Sequence, residues 1–353
     1  MEHQVPLAHH TTLGVGGPAW GLASAKDASQ VAALLAEAAS RDKPVLILGG
    51  GSNLLVSDAG FPGLVITVDD ARLEIRAQRV RAGAGVEWDA LVRAAIAEGL
   101  SGLECLSGIP GRAGAAPLQN IGAYGQEVAE TLRVVHAVDR QTGATVELPA
   151  ADCGFDYRAS HFKGAWCDRY VITGIELELS RRGPAPPRYE ELARRLPELD
   201  REPTRALEQI RHEVLALRRA KSMLLDPMDE NARSAGSFFL NPVVSREEAD
   251  QVERIAAGRG FASMPRFDAS ADRVKLSAAW LIERAGFGKG WGAGPAGLST
   301  RHTLAIVNRG GARAADILRV AREVRRGVLD VFGVALSPEP VRVGFEGTTG
   351  DIG

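Results

Sequence analysis

The stretch Leu48-Gly-Gly-Gly-Ser-Asn53 closes a short apolar run, Pro44-Val-Leu-Ile-Leu48, whose length and composition predict a buried strand. Three glycines at the end of a strand let the backbone approach a pyrophosphate closely and turn several amides toward its oxygens. The Ser52 hydroxyl and the Asn53 amide add donors. A Rossmann-type dinucleotide turn needs G-x-G-x-x-G opening a helix. Gly49 and Gly51 fit that spacing, but Leu54 occupies the third glycine position and Leu55-Val56 continues as strand. Taken alone, the triplet reads equally as a tight turn with no ligand.

A second irregular stretch shifts that balance. Ser107 to Gly125 breaks every periodic pattern, with glycines at 108, 111, 114, 122 and 125 and prolines at 110 and 117. Irregular stretches of this length inside a compact domain are usually functional. Its core, Ile109-Pro-Gly-Arg-Ala-Gly-Ala-Ala-Pro-Leu-Gln-Asn-Ile-Gly-Ala-Tyr-Gly125, offers exposed amides together with Gln119 and Asn120. Such a loop can follow a phosphate and a flat polar ring without steric obstruction.

Outward from these loops the chain alternates strands and amphipathic helices. Lys26 to Ser40 carries Val31, Leu34, Leu35 and Ala38 on one face, with Asp27 near its start. Strands are expected at Leu64–Val68 and Val80–Gly85, and a helix over Glu87–Glu98 with Trp88, Leu91, Val92, Ala95 and Ile96 inward. Further strands are expected at Leu132–Val138 and Tyr170–Leu179, and a helix at Thr204–Lys221. The remainder holds helices near 247–259, 277–285 and 313–332, and a last strand near Val341–Gly344. The fold class is α+β, with a domain boundary near Ser222–Asp226.

With 353 residues the chain exceeds one ordinary core. A formal net charge of -2 excludes a global footprint for nucleic acid or an anionic membrane surface. Cys105, Cys153 and Cys167 lack CxxC spacing, so neither a disulfide framework nor a zinc site is expected, and the thiols read as small buried groups. The N-terminus has no basic segment followed by an apolar one, and no run approaches ~18 apolar residues. A cytoplasmic protein without metal is expected, monomeric for want of an exposed heptad or a long apolar edge.

Three sets of residues together carry a family resemblance: Leu48-Gly-Gly-Gly-Ser-Asn-Leu-Leu55, Gly108-Ile-Pro-Gly111 and Pro117-Leu-Gln-Asn-Ile-Gly-Ala-Tyr-Gly125. Ser234-Ala-Gly-Ser-Phe-Phe-Leu-Asn-Pro242, Gly297-Leu-Ser-Thr-Arg-His302, Val307-Asn308 and Leu336-Ser-Pro-Glu-Pro340 follow in order. The chain resembles the UDP-N-acetylenolpyruvoylglucosamine reductase family. That resemblance implies a two-part FAD-binding module of the vanillyl-alcohol-oxidase type plus a C-terminal α+β substrate domain. The expected division is 1–70, with 335–353 returning to it, then 71–222, then the substrate domain 223–334.

The implied reaction reduces an enolpyruvyl ether of UDP-N-acetylglucosamine to UDP-N-acetylmuramate in peptidoglycan synthesis, with NADPH as co-substrate. By the resemblance, FAD is held by Gly49, Gly50, Gly51, Ser52, Asn53 and Leu54, by Ile109, Pro110 and Gly111, and by Gln119, Asn120, Ile121, Gly122, Ala123 and Gly125. The strand Val171-Ile-Thr-Gly-Ile175 is expected near the adenine. Ser237 is implied as the proton donor to C2; by residue type alone it is a turn or cap serine. Arg158 is implied to hold the substrate carboxylate through paired donors, and is otherwise a solvated arginine. Glu339 is implied to donate toward the same carboxylate, since a carboxyl buried near negative charge stays neutral. Tyr189, Lys221 and Asn241 are implied at the uridine diphosphate. His302, Trp280 and Trp291 are assigned no catalytic part.

Arg112 departs from the family pattern, placing a charge beside the second loop where many relatives carry a small or apolar residue. The tail 346–353 reads as frayed. Two rivals stand beside the reductase. An FAD oxidase of the same fold acting on another alcohol or carbohydrate would have no need of Ser237 and Glu339 in their motifs. A binding protein without catalysis is opposed by the presence of all three catalytic candidates.

Overall fold

The computed structural model describes residues 1–261, 263–270 and 272–345; the expectation about the tail 346–353 lies outside them. The chain forms two compact units. Unit 1 comprises Met1–Val5, Ala19–Gly51 and Pro62–Leu224; unit 2 comprises Pro6–Pro18, Ser52–Phe61 and Leu225–Gly353. The boundary expected near 222–226 lies where the first unit ends.

Unit 1 is built on two sheets. The smaller orders its strands Glu2–Pro6, Pro18–Ala25, Phe61–Val68 and Val45–Leu48, the last two parallel. The helix Ala28–Ser40 covers it, started by Asp27, whose carboxylate accepts from Gln30 N at 2.9 Å. Val31, Leu35 and Ala38 of that helix are buried against Leu64 and Ile66. The larger sheet is fully antiparallel, ordered Thr145–Pro149, Leu132–Asp139, Tyr170–Glu178, Arg79–Gly83 and Leu73–Arg76. On it packs the helix Trp88–Ala97, whose five expected core residues are all buried.

The helix Pro203–Ala220 closes unit 1. Glu202 caps it and Pro203 supplies a first-turn residue with no amide to satisfy. Leu207, Ile210, Val214 and Leu217 recur at helical spacing and are buried, and Arg211 and Arg218 share the helix with them.

Unit 2 has a three-stranded antiparallel sheet (Val243–Ser245, Arg273–Leu276, Arg266–Ser270), an antiparallel pair (Ala296–Leu298, Ile306–Asn308) and a parallel pair (Val341–Val343, Leu54–Val56). Its helices are Arg246–Gly258, Ala278–Arg284 and Ala314–Phe332. Asp58 accepts from Ala314 N and Ala315 N at 2.8 and 3.1 Å, capping the longest of them. Trp280 and Trp291 pack against its core, in keeping with a structural part for both.

The expected division of 1–70 with 335–353, 71–222 and 223–334 is drawn differently from the two contact units. Leu13, Val15 and Leu55 enter the core of unit 2, which draws 6–18 and 52–61 into that unit and makes the strand Val341–Val343 pair there. The 107–125 stretch is not structureless: Ala113–Gln119 is a 3-10 helix, and Gly122–Ala123 pairs with Gln126–Glu127 in a short hairpin. Cys167 is exposed, unlike Cys105 and Cys153, whose thiols burial pushes up to about 12 and about 11.

Candidate active site

In unit 1 the two glycine-rich loops touch. A Cβ on Gly50 would lie 2.8 Å from the Gly111 Cα, so no side chain fits there without moving backbone. Gly111 has φ 122, a conformation that L side chains rarely adopt. Among the described residues the amides of Gly50, Gly51 and Gly111 donate to no carbonyl. Adjoining uncommitted amides on glycine backbone form a concavity for an anion, so the donor set fits a pyrophosphate. Gly51 is the last residue of its unit 1 segment, and Ser52, Asn53 and Leu54 begin the segment belonging to unit 2.

The rest of the second loop is largely tied into the protein. Ile109 packs in part on the unit's core, and Pro110 is half-buried. Gln119 is half-buried beside the exposed Leu118. Asn120 is buried at φ 45, and its side chain is committed within the protein. Its Nδ2 donates to Glu127 Oε2 and Asp156 O, and its Oδ1 accepts from Ala129 N. Ile121 is turned into the core. Both side chains are thus engaged within the protein, and the stretch continues to Gly122, Ala123 and Gly125 at the hairpin.

Arg158 is pinned to this same loop. It sits at φ 52 in a tight turn closed by mutual Asp156–Ala159 backbone bonds of 3.1 Å. Arg158 Nη2 donates to Gly122 O at 2.8 Å, Asn120 holds Asp156 O, and Ser160 Oγ donates to Leu118 O at 2.6 Å. A left-handed arginine costs backbone strain, and such strain gathers where surrounding contacts over-determine a functional group.

Two polar clusters that sequence reading did not reveal brace the loop. Asp89 accepts from Gly108 N at 2.6 Å and holds Arg211 through two bonds of 2.7 Å. Arg218 donates to Gly108 O and Met223 O. Burial raises the Asp89 pKa, but Arg211 and the Gly108 amide outweigh it and hold the carboxyl below its ordinary range. Buried Glu104 accepts from Gly102 N and Gln126 Nε2, while Gln126 Oε1 accepts from Cys105 N, which fixes the hairpin. Nothing in the periodicity signals these partners, for they pair across long separations. Arg112, the departure from pattern, forms an ion pair with Asp69, so its charge is matched beside the loop.

At the hairpin tip Tyr124 and Gly125 both have positive φ, 49 and 85. The Tyr124 ring meets Tyr189 edge to face at 5.4 Å, and burial pushes its hydroxyl up to about 12. Tyr189 is partly exposed and opens the short helix Glu190–Arg195. Lys221, at the end of Pro203–Ala220, donates to Glu191 Oε2 at 2.6 Å.

Unit 2 brings Ser237 and Glu339 onto adjoining irregular segments joined by the isolated bridge Phe239–Pro338. Phe238 N donates to Leu304 O at 2.7 Å and Phe238 O accepts from Glu339 N at 2.9 Å. Phe238 and Phe239 are both buried, which leaves Ser237 half-exposed between Gly236 and that anchor. Asn53 Nδ2 donates to Glu339 O, so one end of the first glycine loop clasps the glutamate segment. Asn241 Oδ1 accepts from Ala278 N at 2.9 Å, a structural task at the start of Ala278–Arg284.

Comparison with known proteins identifies the class and the family. Residues 20–149 match the FAD binding domain family, and residues 226–343 match the UDP-N-acetylenolpyruvoylglucosamine reductase C-terminal domain. The chain is 51% identical over 354 residues to the UDP-N-acetylenolpyruvoylglucosamine reductase of Thermobifida fusca, covering 98% of each. It is 52% identical over 348 residues to that of Nocardia farcinica, covering 98% of this chain and 90% of the relative. The crystal structure of the Thermus caldophilus reductase superposes with a TM-score of 0.68 at 29% identity, covering 97% of this chain and 98% of that one. The chain belongs to the UDP-N-acetylenolpyruvoylglucosamine reductase family.

Proposed function

We propose that the protein reduces the enolpyruvyl ether of UDP-N-acetylglucosamine to UDP-N-acetylmuramate, a step of peptidoglycan synthesis, with FAD bound and NADPH as electron source. The observation that carries the reading is the pairing of Glu339 N with Phe238 O, which sets Glu339 beside the segment bearing Ser237.

The open amides of Gly50, Gly51 and Gly111 would hold the FAD pyrophosphate. When bound, FAD supplies the hydride for C3 of the enolpyruvyl group after reduction by NADPH. Arg158 donates to the substrate carboxylate, where negative charge accumulates as C3 is reduced; its guanidinium stays cationic throughout turnover. Ser237 Oγ gives its proton to C2. A serine is a poor acid in water, but a strongly basic carbanion in a site shielded from water can take its proton. Glu339 completes the grip on the carboxylate. Tyr189, Lys221 and Asn241 serve the uridine diphosphate. The protein acts as a monomer, and among the described residues no helix is long and apolar enough to cross a membrane.

The test is an anaerobic absorbance titration of the purified protein. Flavin bands that bleach with NADPH and return on adding the enolpyruvyl substrate support the reading. Failure to take up FAD overturns the assignment of both loops. Bleaching that reverses only in air points to an oxidase.

A further inference from the structure

Two ion pairs, Lys221–Glu191 and Arg195–Glu213, join the long helix Pro203–Ala220 and its C-cap to the short helix Glu190–Arg195. Lys221 ends the long helix Pro203–Ala220, and Glu191 lies in the short helix that Tyr189 opens. The 2.6 Å contact is partly open to water, with side-chain exposures of 31% for Lys221 and 42% for Glu191. Neighbouring charges are matched elsewhere: Glu190 pairs with Arg194, and Arg195 with Glu213. Tyr189 rests on Tyr124, and Leu192 is buried in the small cluster with Ile210, Val214 and Leu217.

A phosphate group approaching the Lys221 ammonium meets the Glu191 carboxylate already there. Like charges at that spacing repel, and the ammonium is strongly hydrated and compact, so sharing it between two anions is unfavourable. A solvent-exposed pair is weak enough to exchange. We propose that Glu191 is a positioning residue that occupies Lys221 as a placeholder for the nucleotide diphosphate. On binding, the diphosphate displaces the carboxylate, and the Tyr189 helix loses one of its two ionic ties to the long helix, that of Arg195 to Glu213 and its seat on Tyr124 remaining. Glu191 thus sets diphosphate affinity below what Lys221 alone would provide, and links occupancy of the phosphate site to the freedom of the Tyr189 segment. The inference rests on the reading of Lys221 as a diphosphate ligand.

The test measures binding of UDP, and of uridine as the control without phosphate, to the FAD-loaded protein by calorimetry. Glu191→Gln should tighten UDP about two- to fivefold, the scale of one exposed ion pair, and leave uridine unchanged. Glu191→Asp, which keeps the charge, should bind UDP as the unaltered protein does. Lys221→Ala should weaken UDP. If Lys221→Ala weakens UDP while Glu191→Gln leaves it unchanged or weaker, the exchange is wrong and the substrate reading stands. Equal tightening of uridine also overturns the exchange. If Lys221→Ala leaves UDP binding unaltered, the substrate reading of Lys221 fails, and the exchange with it. An unchanged flavin spectrum and melting temperature in each variant show that folding is not the cause.

Discussion

Asn53 and Glu339, 286 positions apart in the chain, are clasped: Asn53 Nδ2 donates to Glu339 O at 3.4 Å, while Asn53 O accepts from Val341 N at 2.9 Å. Asn53 therefore holds both the Glu339 carbonyl and the start of the strand Val341–Val343. Asn53 and the Glu339 segment share this support within unit 2, so a substitution at Asn53 is expected to disturb the placement of Glu339.

The loop contact is the most exacting steric demand. Gly50→Ala places a methyl against Gly111 Cα, where the neighbour is backbone and cannot swing aside. Overpacking of that kind costs about 1–3 kcal/mol, which corresponds to FAD binding weakened by about five- to 150-fold. Fluorescence titration of the apoprotein with FAD measures it, and unchanged affinity would remove the loop contact from the binding site.

Ser237→Ala should separate the two half-reactions. Flavin reduction by NADPH should proceed at its usual rate. Reoxidation by the enolpyruvyl substrate should slow by about 10²–10⁴, the range for loss of a general acid. Stopped-flow absorbance resolves the two steps, and equal slowing of both would remove Ser237 from protonation.

Arg158→Lys keeps the charge and loses the paired donors, so substrate turnover should fall by about 10²–10³ while FAD stays bound. Steady-state kinetics with the flavin spectrum as control is sufficient. Full activity in the lysine variant would mean that charge alone serves there.

Asp89→Asn removes a charge-assisted clamp on Gly108 and Arg211 and should cost about 1.5–3 kcal/mol of stability. The pH dependence has a definite sign. The folded carboxyl lies below its ordinary value of 3.8, so its contribution is complete above that pH and is lost as pH falls through the folded value. Denaturation of wild type and variant should differ most at neutral pH and converge in strong acid. A constant difference down to the lowest pH would place the clamp's strength outside the carboxylate.

Much of unit 1 was legible because its helices carry their buried faces at regular spacing. Val31, Leu35 and Ala38, and then Trp88, Leu91, Val92, Ala95 and Ile96, are read directly from period 3.6. The strands Glu2–Pro6 and Pro18–Ala25 were not foreseen: the first is largely exposed, and the second alternates through glycine and small alanines, whose transfer energies barely distinguish in from out. The loops are marked by their glycine content, and Ser237, Arg158 and Glu339 stand as candidates on the motifs around them.

Local composition decides which segments can be strand, helix or open loop, because backbone sterics and burial periodicity act over a few residues. It cannot decide which distant polar groups meet. That Asn120 braces the Arg158 turn, that Asp89 and Arg218 hold the amide and the carbonyl of Gly108, that Arg112 is answered by Asp69, and that residues 52–61 join the second unit are outcomes of packing. Each depends on two hydrogen-bonding or apolar surfaces being brought together by elements far apart in the chain, and only the closed cores around them determine which surfaces those are.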